Sequence, residues 1–174
     1  MGFSYTRINN PTVESFEKRV TMLEDGIGSV ACASGMAALT NAFLNILQAG
    51  DEIVAACGLY GGTVELFDDL KPFGISVKYV KENKPEAFEA EITEKTRLVF
   101  AETIGNPKLD VTDIQTVAEV AHKHDVPLIV DNTVATPYLI QPLKLGADIV
   151  FIPLPNISME AAMPSAVFLS VVRV

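Results

Sequence analysis

The chain of 174 residues has no tryptophan, two cysteines and two histidines, and it has no lysine after Lys144. Each shortage excludes something. Cys32 and Cys57 lack metal-type spacing, and two thiols make no disulfide framework. Their apolar, small-residue surroundings predict buried structural thiols. His122 and His124 flank Lys123 at the end of a predicted helix, which reads as a solvated face, and no metal site is expected. Positive charge is short as well: 13 Lys and Arg stand against 22 Asp and Glu, a net charge of −9. No basic cluster offsets it, which argues against nucleic acid or an anionic membrane as partner. The apolar end of the chain is too broken by proline and Glu160 for a membrane span. Residues 1–15 are polar and mixed, unlike a secretory leader, so a cytoplasmic protein is expected.

What remains is a globular composition, 49% hydrophobic and 20% charged, on a length that suits one domain with a sizeable core. Apolar periodicity predicts a helix over 12–23, capped by Thr12, then a strand over 29–33. A helix over 35–47 is so rich in Ala, Leu and Phe that burial on most sides is expected. Strands over 52–56, 76–80, 97–101, 127–131 and 147–152 alternate with helices over 63–70 and 112–124. This alternation argues for βαβ units and a mostly parallel sheet. From Pro153 onward the pattern changes abruptly: Pro153, Pro155 and Pro164 interrupt it, and 165–172 is apolar and β-prone.

Candidate chemistry sits where strands end. Val126 to Thr133 reads as a buried strand closed by Asp131, and in an open α/β sheet the carboxyl ends of strands line the ligand crevice. A carboxylate ending an apolar run needs a partner if it is buried. In that position it can hold a proton on a pyridine nitrogen. Ser34-Gly35-Met36, at a strand-to-helix junction, fits a phosphate cradle, because glycine admits the backbone and a helix N-terminus supplies free N–H groups. A turn that keeps glycine for packing alone reads equally well there. No G-x-G-x-x-G opens the helix, which disfavours a nucleotide-binding α/β domain. Tyr60, in a loop with Gly58, Gly61 and Gly62, suits stacking on an aromatic ring, although an ordinary loop aromatic is the simpler local reading. Asn106 before Pro107 lies just past another strand end, where a turn-forming pair explains it equally well.

In order along the chain, Tyr5-Thr6-Arg7, Asn9-Asn10-Pro11-Thr12, Ala33-Ser34-Gly35-Met36, Tyr60-Gly61-Gly62-Thr63, Glu102-Thr103-Ile104-Gly105-Asn106-Pro107 and Val130-Asp131-Asn132-Thr133 resemble one family. It is the Cys/Met-metabolism pyridoxal-phosphate enzymes, of the aspartate-aminotransferase-like fold type I, which include the cystathionine synthases and lyases. The resemblance covers residues 3–150. It implies an α/β fold, the N-terminal part of the cofactor-binding large domain, with a mostly parallel and incomplete sheet. It implies pyridoxal 5′-phosphate as cofactor, a small amino-acid substrate and a homo-oligomer whose active sites are shared across a dimer. By the same resemblance, the Gly35 and Met36 amides bind the phosphate, and Tyr60 stacks on the ring and assists proton transfer. Asn106 faces the ring hydroxyl, Asp131 pairs with the ring nitrogen and Thr133 lies beneath the ring. Tyr5 and Arg7 reach the phosphate of the neighbouring subunit. The E-T-I-G-N-P wording is most similar to the O-acetylhomoserine sulfhydrylase branch, which makes homocysteine from the acetylated amino acid and sulfide. Cystathionine γ-synthase or γ-lyase chemistry is the alternative.

The chain then departs from the family. After Gly146-Ala147-Asp148-Ile149-Val150 the family continues with a segment like V-H-S-A-T-K-Y, whose lysine forms the Schiff base, and here Phe151 to Glu160 stand instead. These residues can be encoded so that one added base makes the shifted frame spell V-H-S-A-T-K-Y-I-D-G. Codon freedom lies mostly at third positions and the other bases are largely dictated, so the agreement points to a base lost near the Val150 codon. The expectation is therefore a partial large domain over 1–150 and an out-of-frame tail over 151–174. Such a chain lacks the Schiff-base lysine, the later strands and the C-terminal domain, and it begins late. It is expected to be catalytically inactive, to hold cofactor non-covalently at best, and to aggregate through exposed strand edges. A non-catalytic fragment that associates with an intact paralogue is the second expectation.

Overall fold

Leu98 to Ala101 and Leu128 to Val130 are apolar without alternation, and every one of these residues is fully buried. Strands that read this way are covered on both faces, as the middle of a parallel sheet requires. The computed structural model describes Tyr5 and residues 10–153 and 167–172. Its elements are α1 (Pro11–Glu24), β1 (Val30–Cys32), α2 (Gly35–Ile46), β2 (Glu52–Ala55), α3 (Gly61–Leu70), β3 (Ser76–Tyr79) and α4 (Pro85–Glu91). They continue with β4 (Thr96–Glu102), α5 (Ile114–Lys123), β5 (Leu128–Asp131), α6 (Thr136–Leu139), β6 (Ile149–Ile152) and β7 (Val167–Val172). The strands form one sheet in the order β1-β7-β6-β5-β4-β2-β3. β3, β2, β4, β5 and β6 are mutually parallel, and β7 is antiparallel to both β6 and β1.

Helices α2 and α3 pack together, as do α4 and α5. Phe100 of β4 meets Phe43 of α2 and Phe67 of α3 at ring-centroid distances of 5.7 and 5.5 Å, both edge to face. Side chains alternate across a strand, so Val99 and Ala101 point to the other face, and they are equally buried. The sheet is thus covered from both sides.

Several expectations are corrected. Asn10, not Thr12, caps α1: its side chain accepts from Thr12 N and Val13 N at 2.9 and 3.3 Å, with Pro11 as the first helical residue. Proline at that position loses no helical hydrogen bond, because its missing N–H is one of the unsatisfied group. Helix α2 is not buried on most sides, since Asn41, Leu44 and Asn45 are exposed. Cys32 and Cys57 are half-buried, not core thiols. Helices α4 and α6 were absent from the expected pattern. Separately, β6 spans Ile149–Ile152, across residues 150 and 151, and Val167–Val172 joins the same sheet, neither of which bears on the reading frame.

Removing one ring of the aromatic cluster tests the packing. Phe100→Ala should cost about 3–5 kcal/mol of stability, read from denaturant midpoints at constant m-value. A loss below about 1 kcal/mol would mean that the cluster collapses around the gap and contributes little.

Candidate functional site

β4 and β5 run in a register that sets Glu102 opposite Asp131, and Asp131 in turn stands opposite Phe151 of β6. Parallel strands in this register deliver their carboxyl ends side by side, so the loops that follow them converge. There they meet the N-terminal ends of α2 and α3 around a cavity of about 440 Å³. Its walls include Gly35, Met36, Tyr60, Asn106, Asp131 and Thr133. The structure therefore brings together all six cavity residues expected from the sequence. Tyr5 is half exposed and is not among the wall residues. Arg7 lies outside the described residues.

One wall is a helix start. Ser34 caps α2, its hydroxyl accepting from Ala37 N at 3.1 Å, and the first intrahelical bond runs from Ala38 N to Ser34 O. The Gly35 and Met36 N–H groups precede that bond, at the positive end of a twelve-residue helix. Such an end attracts an anion. Opposite it, the Tyr60 loop is held by glycines. A Cβ on Gly62 would lie 2.6 Å from the Tyr60 ring, and a Cβ on Gly105 would lie 2.9 Å from Gly58 O. Glycine is what lets the ring settle on its own helix and lets two loops touch.

The floor is acidic. Asp131 is nearly buried, and its Oδ1 accepts from Thr133 N at 2.8 Å and from the Thr133 hydroxyl. Burial pushes its carboxyl up to about 6, and the Thr133 bonds pull the other way. Glu102, which the sequence reading missed as a site residue, also lines the cavity. Burial pushes it up to about 7; the backbone N–H groups of Tyr60 and Asn106 oppose this, and the nearby Asp131 charge adds to it. The Tyr60 N–H lies 2.7 Å from Glu102 Oε1. The signal was available: Glu102 ends an apolar run, just as Asp131 does.

No lysine is among the wall residues. Lys144, the last lysine of the sequence, lies 3.7 Å from Asp25 at the surface. His122, expected to be solvated, is 43% exposed in its side chain and lies 2.8 Å from Asp148. Among the described residues, no cluster of three or more His, Cys, Asp or Glu is placed to hold a metal ion, and no helix is long and apolar enough to cross a membrane.

A parallel sheet with an anion-ready helix start, an aromatic on the cavity wall and a buried carboxylate at its carboxyl edge defines a cofactor-binding α/β domain. The family model described as Cys/Met metabolism PLP-dependent enzyme matches residues 1–153, and the chain belongs to that family. It is 51% identical over 152 residues to the O-acetyl-L-homoserine sulfhydrylase of Corynebacterium glutamicum, covering 86% of this chain and 35% of that protein. The chain thus spans about a third of the length of the curated relatives it matches. The solved O-acetylhomoserine sulfhydrylase of Wolinella succinogenes superposes with a TM-score of 0.84 at 38% identity, over 92% of this chain and 46% of that one. A Campylobacter jejuni structure, assigned as an O-acetylhomoserine (thiol)-lyase and carrying a pyridoxyl-lysine phosphate, gives a TM-score of 0.91 at 33% identity, over 99% of this chain and 43% of that one.

The family depends on pyridoxal phosphate, and the cavity fits its ring and phosphate. The volume is in the range of small cofactor sites, the cradle offers amides, and Asp131 is a buried carboxylate set beside it. The wall offers no amine for covalent attachment.

The acidic floor makes stability depend on pH. The Asp131 carboxyl is raised above its ordinary 3.8 to about 6, so its favourable contribution is complete below about pH 4 and is lost as pH rises through about 6. Asp131→Asn imitates the neutral acid and keeps the acceptor for Thr133. It should be more stable than the parent at about pH 8 by roughly 3 kcal/mol, the advantage vanishing near pH 4, as melting curves at the two values will show. An advantage independent of pH would overturn this.

Proposed function

We propose that this chain is the cofactor-binding part of a pyridoxal-phosphate enzyme of sulfur amino-acid metabolism, of the kind that makes homocysteine from O-acetylhomoserine and sulfide. The observation that carries the reading is the convergence of Gly35, Met36, Tyr60, Asn106, Asp131 and Thr133 on one cavity. The similarity to sulfhydrylases supports the choice of branch. Cystathionine γ-synthase or γ-lyase chemistry is the neighbouring alternative within the family. The setting is cytoplasmic, the substrate a small amino acid, and neither nucleic acid nor membrane is a partner.

When bound, pyridoxal phosphate supplies an electron sink next to the substrate amino group. The residues of this chain do the rest. The Gly35 and Met36 N–H groups hold the phosphate, and Asp131 keeps a proton on the ring nitrogen. Tyr60 covers the ring and moves a proton at its phenolic oxygen. Asn106 meets the ring hydroxyl, and Thr133, which holds Asp131, closes the ring site. Tyr5 and Arg7 serve the phosphate of a neighbouring subunit in a homo-oligomer. With no lysine on the wall, the cofactor is held without a covalent bond and the chain does not turn over. A catalytically silent module that joins an intact paralogue is consistent with the same residues.

Pyridoxal phosphate should therefore bind by absorbance titration, and Asp131→Asn should weaken it about tenfold, the loss of one charge-assisted hydrogen bond. Equal affinity in the two proteins would sink the role given to Asp131. After borohydride treatment, peptide mapping should find no lysine modified stoichiometrically. A full adduct on Lys144 would instead make that residue a substitute and overturn the inactivity.

We further propose that residues from 151 onward are read out of frame, on the agreement of the shifted codons with V-H-S-A-T-K-Y-I-D-G. Sequencing the gene across the Val150 codon decides this. The codons should give that motif on restoration of one base, and any other spelling makes the tail a genuine divergence.

A further inference from the structure

Glu24, the last residue of α1, is fully buried although it is a carboxylic acid. Its Oε1 accepts from Asn132 Nδ2 at 3.4 Å, while Glu24 Oε2 and Asn132 Oδ1 have no partner among the described protein atoms. The orientation of the amide is settled by its other bond, because Nδ2 donates to Ile140 O at 3.0 Å. Two acceptors cannot satisfy each other. A proton on Oε2 would supply the missing donor: it could give to Oδ1 while Nδ2 gives to Oε1, the reciprocal pairing of an acid with an amide.

The position of Asn132 makes this pairing matter. Its N–H donates to Phe151 O at 2.8 Å, its carbonyl accepts from Thr136 N at 3.0 Å, and it stands between the two cavity residues Asp131 and Thr133. We propose that Glu24 is a positioning residue for the site, paired as a neutral carboxylic acid with the Asn132 amide so that the turn carrying Asp131 and Thr133 is held from behind. Its environment favours the neutral form. Burial raises the Glu24 carboxyl to about 7, offset only in part by the Asn132 amide. The carbonyls at a helix C-terminus also disfavour a negative charge.

The charges nearby are engaged elsewhere or distant in character. On α1, Glu14 pairs with Lys18, Arg19 is exposed and Glu17 accepts from Ala31 N at 2.8 Å; just past the helix, Asp25 lies 3.7 Å from Lys144. On the elements packed against α1, β1 offers Cys32, α6 offers the exposed Tyr138, and the β7 sequence holds no ionisable residue. Behind the turn, β5 offers Asp131. No cation among them reaches the Glu24 carboxyl as an ion pair within the described residues.

Because the folded state holds the proton more tightly than the unfolded chain, the contribution of this pair is complete below about pH 4.5 and fades as pH rises through about 7. Glu24→Gln tests this, since glutamine reproduces the neutral acid: its amide donates to Asn132 Oδ1 and its oxygen accepts from Nδ2. The variant should melt with the parent at about pH 5 and above it at about pH 8, whereas Glu24→Ala should melt lower at both. An infrared difference spectrum, parent minus Glu24→Gln, should show a protonated-carboxyl band at about pH 5 that titrates away at higher pH. Pyridoxal phosphate affinity, read as the ratio of variant to parent at each pH so that the ligand's own titration cancels, should favour Glu24→Gln by about fivefold at high pH and disfavour Glu24→Ala at both.

A Glu24→Gln protein that melts below the parent at every pH, with no acid band in the difference spectrum, overturns the pairing. A normal melting response with affinities unmoved in both variants overturns the positioning role. The ligand arm rests on the proposed cofactor reading. If the parent itself binds no pyridoxal phosphate, that reading fails, and the acid–amide pair is judged on melting and infrared alone.

Discussion

Glu102 closes β4 with a carboxylate that takes the backbone N–H groups of Tyr60 and Asn106, and so ties together two loops that share no secondary structure. The tie forms only because β4 ends beside β5, with Glu102 in register with Asp131. Slipping β4 by one residue against β5 would turn Glu102 to the other face of the sheet, away from Asp131, and pull the two loops apart. The contact between Gly105 and the Gly58 carbonyl has the same dependence, since it needs both loops at a single height above the sheet.

The site is built from groups that the fold would hold more easily if they were neutral. Asp131, Glu102 and Glu24 are all raised by burial, to about 6, 7 and 7. Nothing in the packing of the described sheet requires three acids in this region, and apolar side chains of similar size would avoid the desolvation cost. The expense is concentrated around one cavity, which is the pattern of a functional site and not of a structural ion network. By contrast, the buried acid at the opposite end of the sheet, Glu52, accepts from Thr93 and Thr96 and pairs with Lys78 at 3.1 Å, and its carboxyl lies below the usual range. Glu52 gains a cation and two hydroxyls where it only has to hold the fold, whereas burial outweighs the hydrogen bonds made by the other three.

Much of this was legible in the chain. Uninterrupted apolar runs such as Leu98 to Ala101 can only be central strands, and the alternation of strands with helices fixed the parallel sheet. Gly35, Tyr60 and Asn106 each had a bland local explanation, Asp131 alone made a claim of its own, and their order along the chain pointed to a common site. What escaped has physical causes. Asn10 and Thr12 are both good caps, and only the extended backbone at Asn10 decides between them. Helix α4 is short and has a single fully buried side chain, Phe88, too little to show a period. Glu24 reads as a polar residue at the end of a surface helix. Its burial arises from closure against Asn132, more than a hundred residues later in the chain, and no local pattern encodes that.

The place of β7 sets the order in which the molecule can be assembled. Among the described residues, β1 is joined to the sheet only through β7, with Val30 opposite Leu169, while β7 also borders β6. The parallel strands β2 to β6 can pair as they emerge, each with a neighbour made shortly before or after it. The first strand cannot, and the cradle that follows it at Ser34 and Gly35 leans on the same joint through the contacts of α2 with β7. Contacts this distant along the chain form late and slowly. The acidic floor of the cavity can therefore exist before its anion-binding wall is seated, and a ligand that bridges the two would act as a clamp on the last step of folding.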